Sequence, residues 1–493
     1  MSKIKIDLER VIGTVDRRIY GGFIEHLGRC IYGGIFEENS PLSDEQGFRQ
    51  DVIEAVRPLR MPILRWPGGN FVSGYHWQDG IGPREQRPRR MNLAWASEES
   101  NRFGTDEFIQ YCRTIDTEPY ICVNMGSGTM DEAQAWVEYC NGTSNSYWAN
   151  LRRQHGHEEP YGVKYWGLGN EMYGPWQIGM LNAQDYVKKA IEFAKVMKWT
   201  DPSIELVSCG WNGWSEWDRI VLEGLAPFVN YHSIHIYTGS DDYYSNVFSS
   251  HQAERALHLC QAMIETVRYN QQIKHPISVA YDEWNVWFRA REAETALEER
   301  YTLTDALAVA TYLNIFIRSC KSVKIANLAQ LVNVIAPIFT NKEGLFLQTI
   351  YHPLRLYSQY MLDVALDAFV DSETYTQAAE KEDLPEFRRV ADLGPFKLLD
   401  VSVTRDATGH ELAIAVVNRD RDRAHETTIQ LTDALTISNV TAYEVNGSAP
   451  DVINSFAQPD AVTVRERALN VEGHSFTYAF PAHSITVLRA HVE

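Results

Sequence analysis

The feature that most constrains the fold is an alternation of short apolar runs with amphipathic stretches, which extends from residue 19 to about residue 362. Strands that alternate with helices predict a parallel sheet, and eight such strands favour a closed (β/α)₈ barrel over an open doubly wound sheet. The predicted strands are 20–25, 62–66, 119–124, 163–170, 205–210, 231–237, 277–283 and 327–333. The predicted helices include 48–58, 105–115, 183–198, 253–268 and 303–319.

A second region begins near residue 363, where the helical period fades and short alternating runs follow one another with turn signals between them. This pattern predicts an all-β sandwich. Residues 3–17 also contain short strands with no helix behind them, so we expect them to join that sandwich. The predicted domains are therefore a barrel over 18–362 and a β-sandwich formed by 1–17 plus 363–493, with 371–396 as a connecting loop.

Composition and charge exclude several classes of function. The net charge of −19 argues against a nucleic-acid partner, because such proteins cluster Lys and Arg on one surface. The sequence has no apolar run of the roughly 18 residues that a membrane span needs, and its N-terminus lacks the apolar core of a signal peptide. Seven cysteines without a Cys-x-x-Cys pair predict neither a disulfide framework nor a zinc site. We therefore expect a cytoplasmic protein without a cofactor.

Two carboxylates stand at the ends of predicted strands. Glu171 follows the apolar run 163–166 within Asn170-Glu171, and Glu283 follows the run 277–281. In a barrel of this kind the carboxyl ends of the strands form the active-site face, so the two side chains should meet there. Other polar residues at predicted strand ends are Glu25, His26, Arg65, Asn70, Asn124, His235, Tyr237 and Asn333.

A pair of carboxyl groups at one barrel mouth suits glycoside hydrolysis, in which one acid protonates the leaving oxygen and one carboxylate attacks the anomeric carbon. Arg65 and Tyr237 are suitable partners for the attacking carboxylate, since a cation and a phenol donor favour its charged form. The acid should have a raised pKa. Aromatic residues in the loops suit the faces of sugars, and among them are Trp95, Tyr173, Trp176, Trp211, Trp214, Trp284 and Trp287.

These residues also admit other interpretations. A single Asn-Glu dipeptide is more often a turn or a helix cap than a catalytic site. A metal site is not predicted, because His232 and His235 are three apart on a strand and point to opposite faces unless a bulge intervenes. His235 is better interpreted as a hydrogen-bonding residue of the mouth. Cysteine–histidine catalysis is also disfavoured, because no cysteine ends a strand beside a histidine.

Five phrases of this sequence resemble the α-L-arabinofuranosidases of glycoside hydrolase family 51, within the clan of retaining barrel glycosidases. They are Gly22-Phe23-Ile24-Glu25-His26-Leu27-Gly28, Leu64-Arg65-Trp66-Pro67-Gly68-Gly69-Asn70, Gly169-Asn170-Glu171-Met172, Asp282-Glu283-Trp284-Asn285-Val286-Trp287 and Gly344-Leu345-Phe346-Leu347-Gln348. The resemblance implies Glu171 as acid/base, Glu283 as nucleophile and Arg65 as the support of the nucleophile. It also implies contacts with the furanose ring from Glu25, Asn70, Asn170, Tyr237 and Gln348.

The resulting expectation is an exo-acting, retaining enzyme that removes terminal α-L-arabinofuranose from arabinan, arabinoxylan or related oligosaccharides. Trp95, Trp176 and His235 are expected to complete the binding site, and the loops 84–103, 173–180, 211–217 and 286–300 to shape the leaving-group side. The resemblance also implies a homo-oligomer, often a hexamer. The alternatives are an endo-acting β-glucanase or xylanase of the same clan and a non-catalytic sugar-binding barrel.

Overall fold

The structure is a computed structural model that describes residues 2–289, 297–379, 389–432 and 435–493. Eight parallel strands close into a barrel, in which each strand pairs with its neighbour in chain order and the last pairs with the first. The barrel strands are β3 (Gly21–Phe23), β4 (Ile63–Trp66), β7 (Glu118–Cys122), β8 (Tyr165–Leu168), β9 (Glu205–Ser208), β10 (Tyr231–Thr238), β11 (Ser278–Val286) and β12 (Val323–Ala329). The predicted (β/α)₈ fold is confirmed.

Helices follow the barrel strands and pack around them. Several begin at side-chain caps that satisfy free backbone N–H groups, such as Ser215 with Asp218 at α6 and Thr302 with Asp305 at α9. The helices are α1 (Gln50–Val56), α2 (Thr105–Thr114), α3 (Met130–Asn141), α4 (Tyr147–Gln154), α5 (Ala183–Thr200), α6 (Glu216–Leu225), α7 (Tyr243–Ser249), α8 (His251–Gln271), α9 (Leu303–Arg318) and α10 (Tyr351–Tyr360). Within the described ranges, no helix combines the length and apolarity that crossing a bilayer requires.

The barrel interior is filled with side chains. One buried residue from each of seven strands joins a single apolar cluster, so the lumen is a packed core rather than a pore. Arg18 lies beside this cluster, where it donates to the hydroxyls of Tyr165 and Tyr231 and pairs with Asp16. The packed lumen confines the polar chemistry to the carboxyl ends of the strands.

The second region is a sandwich of two sheets. One contains β16 (Phe369–Asp371), β1 (Ser2–Ile6), β21 (His425–Leu431) and β24 (Ser475–Phe480). The other contains β2 (Val11–Thr14), β15 (Val364–Leu366), β19 (Leu399–Arg405), β20 (Glu411–Asn418), β25 (Ser484–Val492), β22 (Ile437–Asn446) and β23 (Thr463–Gly473). Both N-terminal strands join these sheets, since β1 pairs with β21 and β2 with β15. The predicted β-sandwich with N-terminal strands is confirmed.

Three two-stranded sheets lie outside the barrel and the two sandwich sheets. They are β5 (Arg90–Asn92) with β6 (Ser97–Glu99), β13 (Ile338–Thr340) with β14 (Leu345–Leu347), and β17 (Thr374–Tyr375) with β18 (Phe396–Lys397). The last pair lies near the two ends of the predicted connecting loop 371–396, which therefore contains short strands, and residues 380–388 lie outside the described part of the chain. The β5–β6 hairpin follows barrel strand β4 and carries Trp95 between its strands.

The predicted position of the eighth barrel strand was wrong by about four residues. We predicted 327–333, whereas β12 ends at Ala329 and begins at Val323. Lys324 interrupts the apolar pattern at the start of the strand, and its ammonium reaches the carbonyl of Cys320 at 2.5 Å. Gln330 rather than Asn333 therefore follows the strand, and Asn333 lies in the next loop with a φ of 60°.

Candidate active site

A bulge in β11 brings two neighbouring acids to the same face of the barrel. Ser233 pairs with Ala280 and His235 with Glu283, so two steps along β10 match three along β11, and β12 shows a similar shift. In a regular strand, adjacent side chains point to opposite faces, but the extra residue breaks this alternation. Asp282 and Glu283 consequently both lie close to His235, at 3.2 and 3.3 Å from its ring nitrogens.

Glu283 is held by two donors. Arg65 Nη1 donates to its Oε2 at 2.9 Å, and the Tyr237 hydroxyl donates to its Oε1 at 2.7 Å. Burial, together with the negative charge of Glu283, raises the pKa of Tyr237 well above its ordinary value, so the phenol remains a donor. Both donors fix the orientation of the carboxylate.

Glu171 follows β8 at a sharp turn. Its φ is 42°, in the left-handed region that non-glycine residues adopt at a cost of about 1–3 kcal/mol, and the turn aims its side chain at the mouth. His235 Nδ1 lies 3.0 Å from Glu171 Oε1, and the Trp176 indole donates to Oε2 at 2.6 Å.

The predicted raised pKa of Glu171 was wrong for the free site. Burial raises the pKa of this carboxyl, but the hydrogen bond and charge of His235, with the donors Trp176 and Tyr173, outweigh that effect and lower it. His235 behaves in the opposite way. Burial alone would lower its pKa, but the surrounding carboxylates raise it to about 10. The two shifts favour a proton on His235 over a proton on Glu171.

The two catalytic candidates are close together. One carboxylate oxygen of Glu171, one of Glu283 and a ring nitrogen of His235 all lie within 4.8 Å of one another. Such a set could offer ligands to a metal ion, but a metal ligand must be deprotonated, and the imidazolium and Arg65 supply positive charge here. The separation matches the roughly 5–5.5 Å of direct attack better than the about 6.5–9.5 Å that a bridging water requires.

A cavity of about 430 Å³ opens above these residues. Its lining combines carboxyl, amide and phenol groups with indole and aliphatic walls, the composition expected of a small-ligand site. The lining residues are Glu25, Leu27, Gly69, Asn70, Trp95, Glu171, Trp176, Tyr237, Glu283, Trp287, Leu297, Gln330 and Ile335.

Glu25 is a third acid in this cavity. Its Oε1 accepts from the Phe71 backbone and the Trp95 indole at 2.9 Å each, and its Oε2 accepts from Gln330 at 3.0 Å. Burial, together with the charge of Glu283, raises the pKa of Glu25 to about 7 despite these donors. A Cβ at Gly69 would lie 2.3 Å from Glu25 Oε2, so the close approach of the Gly69 backbone to the Glu25 carboxyl requires glycine.

Two of the residues predicted to contact the ring make hydrogen bonds within the protein. Gln348 accepts from the backbone of Tyr301 and donates to the carbonyls of Glu299 and Ala336, so its amide supports the loops behind the cavity. Asn170 is 1% exposed, and its Oδ1 accepts from Arg65 at 2.6 Å. Gln348 thus supports neighbouring loops and Asn170 fixes the guanidinium that holds Glu283, while their contacts with the ring stay a prediction.

The sequence interpretation missed Asp282 and Gln330. Asp282 immediately precedes Glu283, and adjacent side chains of a regular strand point to opposite faces, so only the bulge places both acids on one face. Gln330 was hidden because the eighth strand was predicted to end at Asn333. Of the predicted leaving-group loops, 211–217 is fixed by Asp218, which accepts from the backbone at 211, 213 and 215. In the loop 286–300, residues 290–296 lie outside the described ranges.

An eight-stranded barrel with two carboxyl groups this close at the carboxyl ends of its strands is typical of a retaining glycoside hydrolase. Comparison with known proteins specifies the family. The family models "Alpha-L-arabinofuranosidase 1 domain" and "Alpha-L-arabinofuranosidase C-terminal domain" match residues 55–255 and 282–484. The chain therefore belongs to the α-L-arabinofuranosidases of glycoside hydrolase family 51.

Individual relatives agree with this assignment. The chain is 43% identical to α-L-arabinofuranosidase C of Emericella nidulans, over 99% of this chain and 97% of the relative. It is also 43% identical to an intracellular exo-α-(1→5)-L-arabinofuranosidase of Halalkalibacterium halodurans, over 84% of each chain. The solved structure of a family 51 α-L-arabinofuranosidase from Thermotoga petrophila superposes with a TM-score of 0.91 at 41% identity, covering 99% of this chain and 100% of that one.

Proposed function

We propose that this protein is an exo-acting α-L-arabinofuranosidase that releases terminal α-L-arabinofuranose from arabinan, arabinoxylan or related oligosaccharides by double displacement. The observation that carries the proposal is the pair Glu171 and Glu283, with carboxylate oxygens within 4.8 Å of each other at the mouth of the barrel. We assign this chemistry to residues 18–362, with 1–17 and 363–493 as an accessory β-sandwich. The names of the relatives support the sugar and the exo mode.

In the first half of the reaction, Glu283 attacks the anomeric carbon while the bond to the leaving oxygen breaks and Glu171 protonates that oxygen. Arg65 and Tyr237 orient the attacking carboxylate through their bonds to its two oxygens. The product of this half is a glycosyl ester on Glu283. In the second half, Glu171 takes a proton from a water molecule, the water oxygen bonds to the anomeric carbon and the ester bond breaks.

The polar lining of the cavity supports the exo mode. Glu25 and Gln330 are hydrogen-bonded to each other, Gly69 packs against Glu25, and all three line the cavity together with the two catalytic acids. A terminal sugar unit beside those acids would contact the Glu25 carboxyl and Asn70. An endo-acting glucanase or xylanase would need a cleft that continues in both directions.

The experiment is hydrolysis of a panel of aryl glycosides in furanose and pyranose forms, with a soluble β-glucan as the test of the endo-acting alternative. Turnover confined to the α-L-arabinofuranoside is the expected result. Proton NMR of the first-formed sugar, recorded before mutarotation, should show the α-anomer, because two displacements give net retention. An initial β-anomer would indicate a single displacement, and binding without turnover would support a non-catalytic barrel.

The proposal includes a cytoplasmic location and a homo-oligomer, with a hexamer suggested by the family resemblance. The relative from Halalkalibacterium halodurans, which is described as intracellular, supports the location. Fractionation of the native source with an antibody would test the compartment. Light scattering after size-exclusion chromatography would test the assembly, with a mass near one chain of 56.4 kDa as the contrary result.

A further inference from the structure

The free site presents a problem of proton supply. The proposed first step needs a proton on Glu171, yet the pKa of Glu171 is lowered and the pKa of His235 is raised to about 10. The missing proton is near, because His235 Nδ1 lies 3.0 Å from Glu171 Oε1. A direct transfer along that contact would convert Glu171 into the acid.

The surroundings of His235 suit a doubly protonated ring. Its Nδ1 faces Glu171 at 3.0 Å and Glu283 at 3.3 Å, and its Nε2 faces Asp282 Oδ1 at 3.2 Å. An imidazolium has a donor on each nitrogen, whereas a neutral ring would turn one lone pair toward a carboxylate. The ring is nearly fully buried, with 3% of its side chain exposed, so water does not replace these partners.

Asp282 is rigidly placed behind the ring. The Tyr120 hydroxyl donates to its Oδ2 at 2.7 Å, and Arg65 Nε lies 3.6 Å from the same oxygen. The residue is 2% exposed, and the proposed chemistry has no other use for it. The charged and titratable groups of this cluster are Glu171, Asp282, Glu283, Arg65, Tyr120, Tyr173 and Tyr237.

We propose that His235, oriented by Asp282, stores the proton that Glu171 delivers to the leaving oxygen. This inference rests on the proposed function and treats both residues as positioning residues, because they act through Glu171. The proton moves from His235 Nδ1 to Glu171 Oε1 and on to the leaving oxygen as its bond to carbon breaks. In the second half, the proton that Glu171 takes from water returns to Nδ1, and the site regains its starting state.

The charge of Glu283 couples this transfer to the attack. Among the single interactions that raise the pKa of His235, the charge of Glu283 is the largest. When Glu283 becomes a neutral ester, that charge disappears and the pKa of His235 falls. Proton release to Glu171 is therefore favoured at the moment when the leaving oxygen needs it.

The test uses 4-nitrophenyl and methyl α-L-arabinofuranosides, which share the sugar and differ in their need for an acid. The ratio of their kcat/KM values across pH isolates the acid, because effects common to the sugar, including titration of Glu25, cancel. We expect His235→Asn to move the alkaline limb of the kcat/KM pH profile for the methyl substrate to lower pH, by at least about one pH unit. The profile for the 4-nitrophenyl substrate should change much less. Asp282→Asn should produce a smaller shift in the same direction.

The matched control is His232→Asn, which removes another buried histidine of β10 that also contacts an aspartate but faces no carboxylate of the cavity. The alkaline limb of the pH profile of His232→Asn should stay at the wild-type pH. An equal loss on both substrates in His235→Asn, with the limb unmoved, would overturn the proposal in favour of a structural role. Failure of the wild type to cleave either substrate would instead overturn the proposed function.

A second measurement covers the case in which His235→Asn does not fold. Nitrogen-15 NMR of the wild-type histidines, with the His235 signals identified by their change in Asp282→Asn, reports the ring's protonation directly. We expect an imidazolium that persists above about pH 8, beyond the range of an ordinary histidine. A ring that is neutral at about pH 7 would overturn the proposal that His235 stores the proton.

Discussion

Strand β10 carries two buried histidines three residues apart, and each contacts an aspartate. His232 Nε2 lies 3.0 Å from Asp218, and its Nδ1 lies 2.9 Å from the Ser208 hydroxyl. These are the residue types of a hydrolytic triad, yet the three side chains have no exposed surface. His235 has a similar aspartate but lies beside Glu171 and Glu283, which line the cavity.

The difference between the two sites lies in what the partners of each histidine contact. The oxygens of Asp218 also accept from the backbone of Trp211, Gly213 and Ser215, so the pair fixes a loop. Glu171 and Glu283, the partners of His235, line the cavity, where a substrate can exchange protons with them. Residue types alone therefore do not define a site, and access to a cavity does.

The largest expected effect distinguishes the carboxylates that line the cavity from the buried Asp218–His232 pair. Glu283→Ala should lower turnover of every arabinofuranoside by roughly 10⁴-fold or more, because the covalent intermediate cannot form. Steady-state kinetics on 4-nitrophenyl α-L-arabinofuranoside would measure it. Asp218→Asn is the comparison, and it should retain activity wherever it remains folded. Activity in Glu283→Ala comparable with that of the wild type would show that Glu283 is not the nucleophile.

The next effect depends on the leaving group. Glu171→Ala should lower kcat/KM for the methyl glycoside by about 10²–10⁴-fold, since an alkoxide needs protonation as it departs. The 4-nitrophenyl glycoside, whose leaving group needs no acid, should form the glycosyl-enzyme much more readily. Azide should then accelerate turnover by attacking that intermediate in place of an activated water. Equal losses on both substrates, without rescue by azide, would contradict the role of Glu171.

A third prediction concerns the stability that the buried Asp218–His232 pair contributes. Asp218→Ala should reduce the free energy of unfolding by about 3 kcal/mol, because it removes a buried carboxylate and leaves several donors without a partner. The pKa of Asp218 is lowered despite burial, chiefly by His232. Its contribution is therefore present above the pKa of an unfolded aspartate and is lost as pH falls. Urea unfolding at neutral and acid pH should show a difference that shrinks in acid, and a constant difference would contradict it.

Much of the architecture was predictable, because period and order are local properties of a sequence. Eight apolar runs separated by amphipathic stretches predicted the barrel, and alternating runs beyond residue 363 predicted the sandwich. The exact start of β12 was not predictable, because Lys324 looked like a break although its long side chain lies beside the backbone of Cys320. Strand boundaries depend on such tertiary contacts.

The site was predictable in its residue types and less so in its electrostatics. Glu171, Glu283, Arg65 and Tyr237 were found because each ends or follows a strand. Asp282 was missed because its orientation depends on a bulge, which appears only when β11 is paired with its neighbours. The pKa of Glu171 was predicted in the wrong direction because the nearest cation is a histidine whose own charge depends on three carboxylates from distant parts of the chain.

The smallest expected effect has the opposite sign to that of His235→Asn. Trp176 is 56% exposed, and its indole donates to Glu171 Oε2 at 2.6 Å, a bond that favours the carboxylate and helps to lower its pKa. Trp176→Phe keeps an aromatic ring and removes the donor, so the proton affinity of Glu171 should rise. The alkaline limb of the methyl glycoside should then move upward by about half a pH unit or less. A downward shift would show that Trp176 acts on His235 instead.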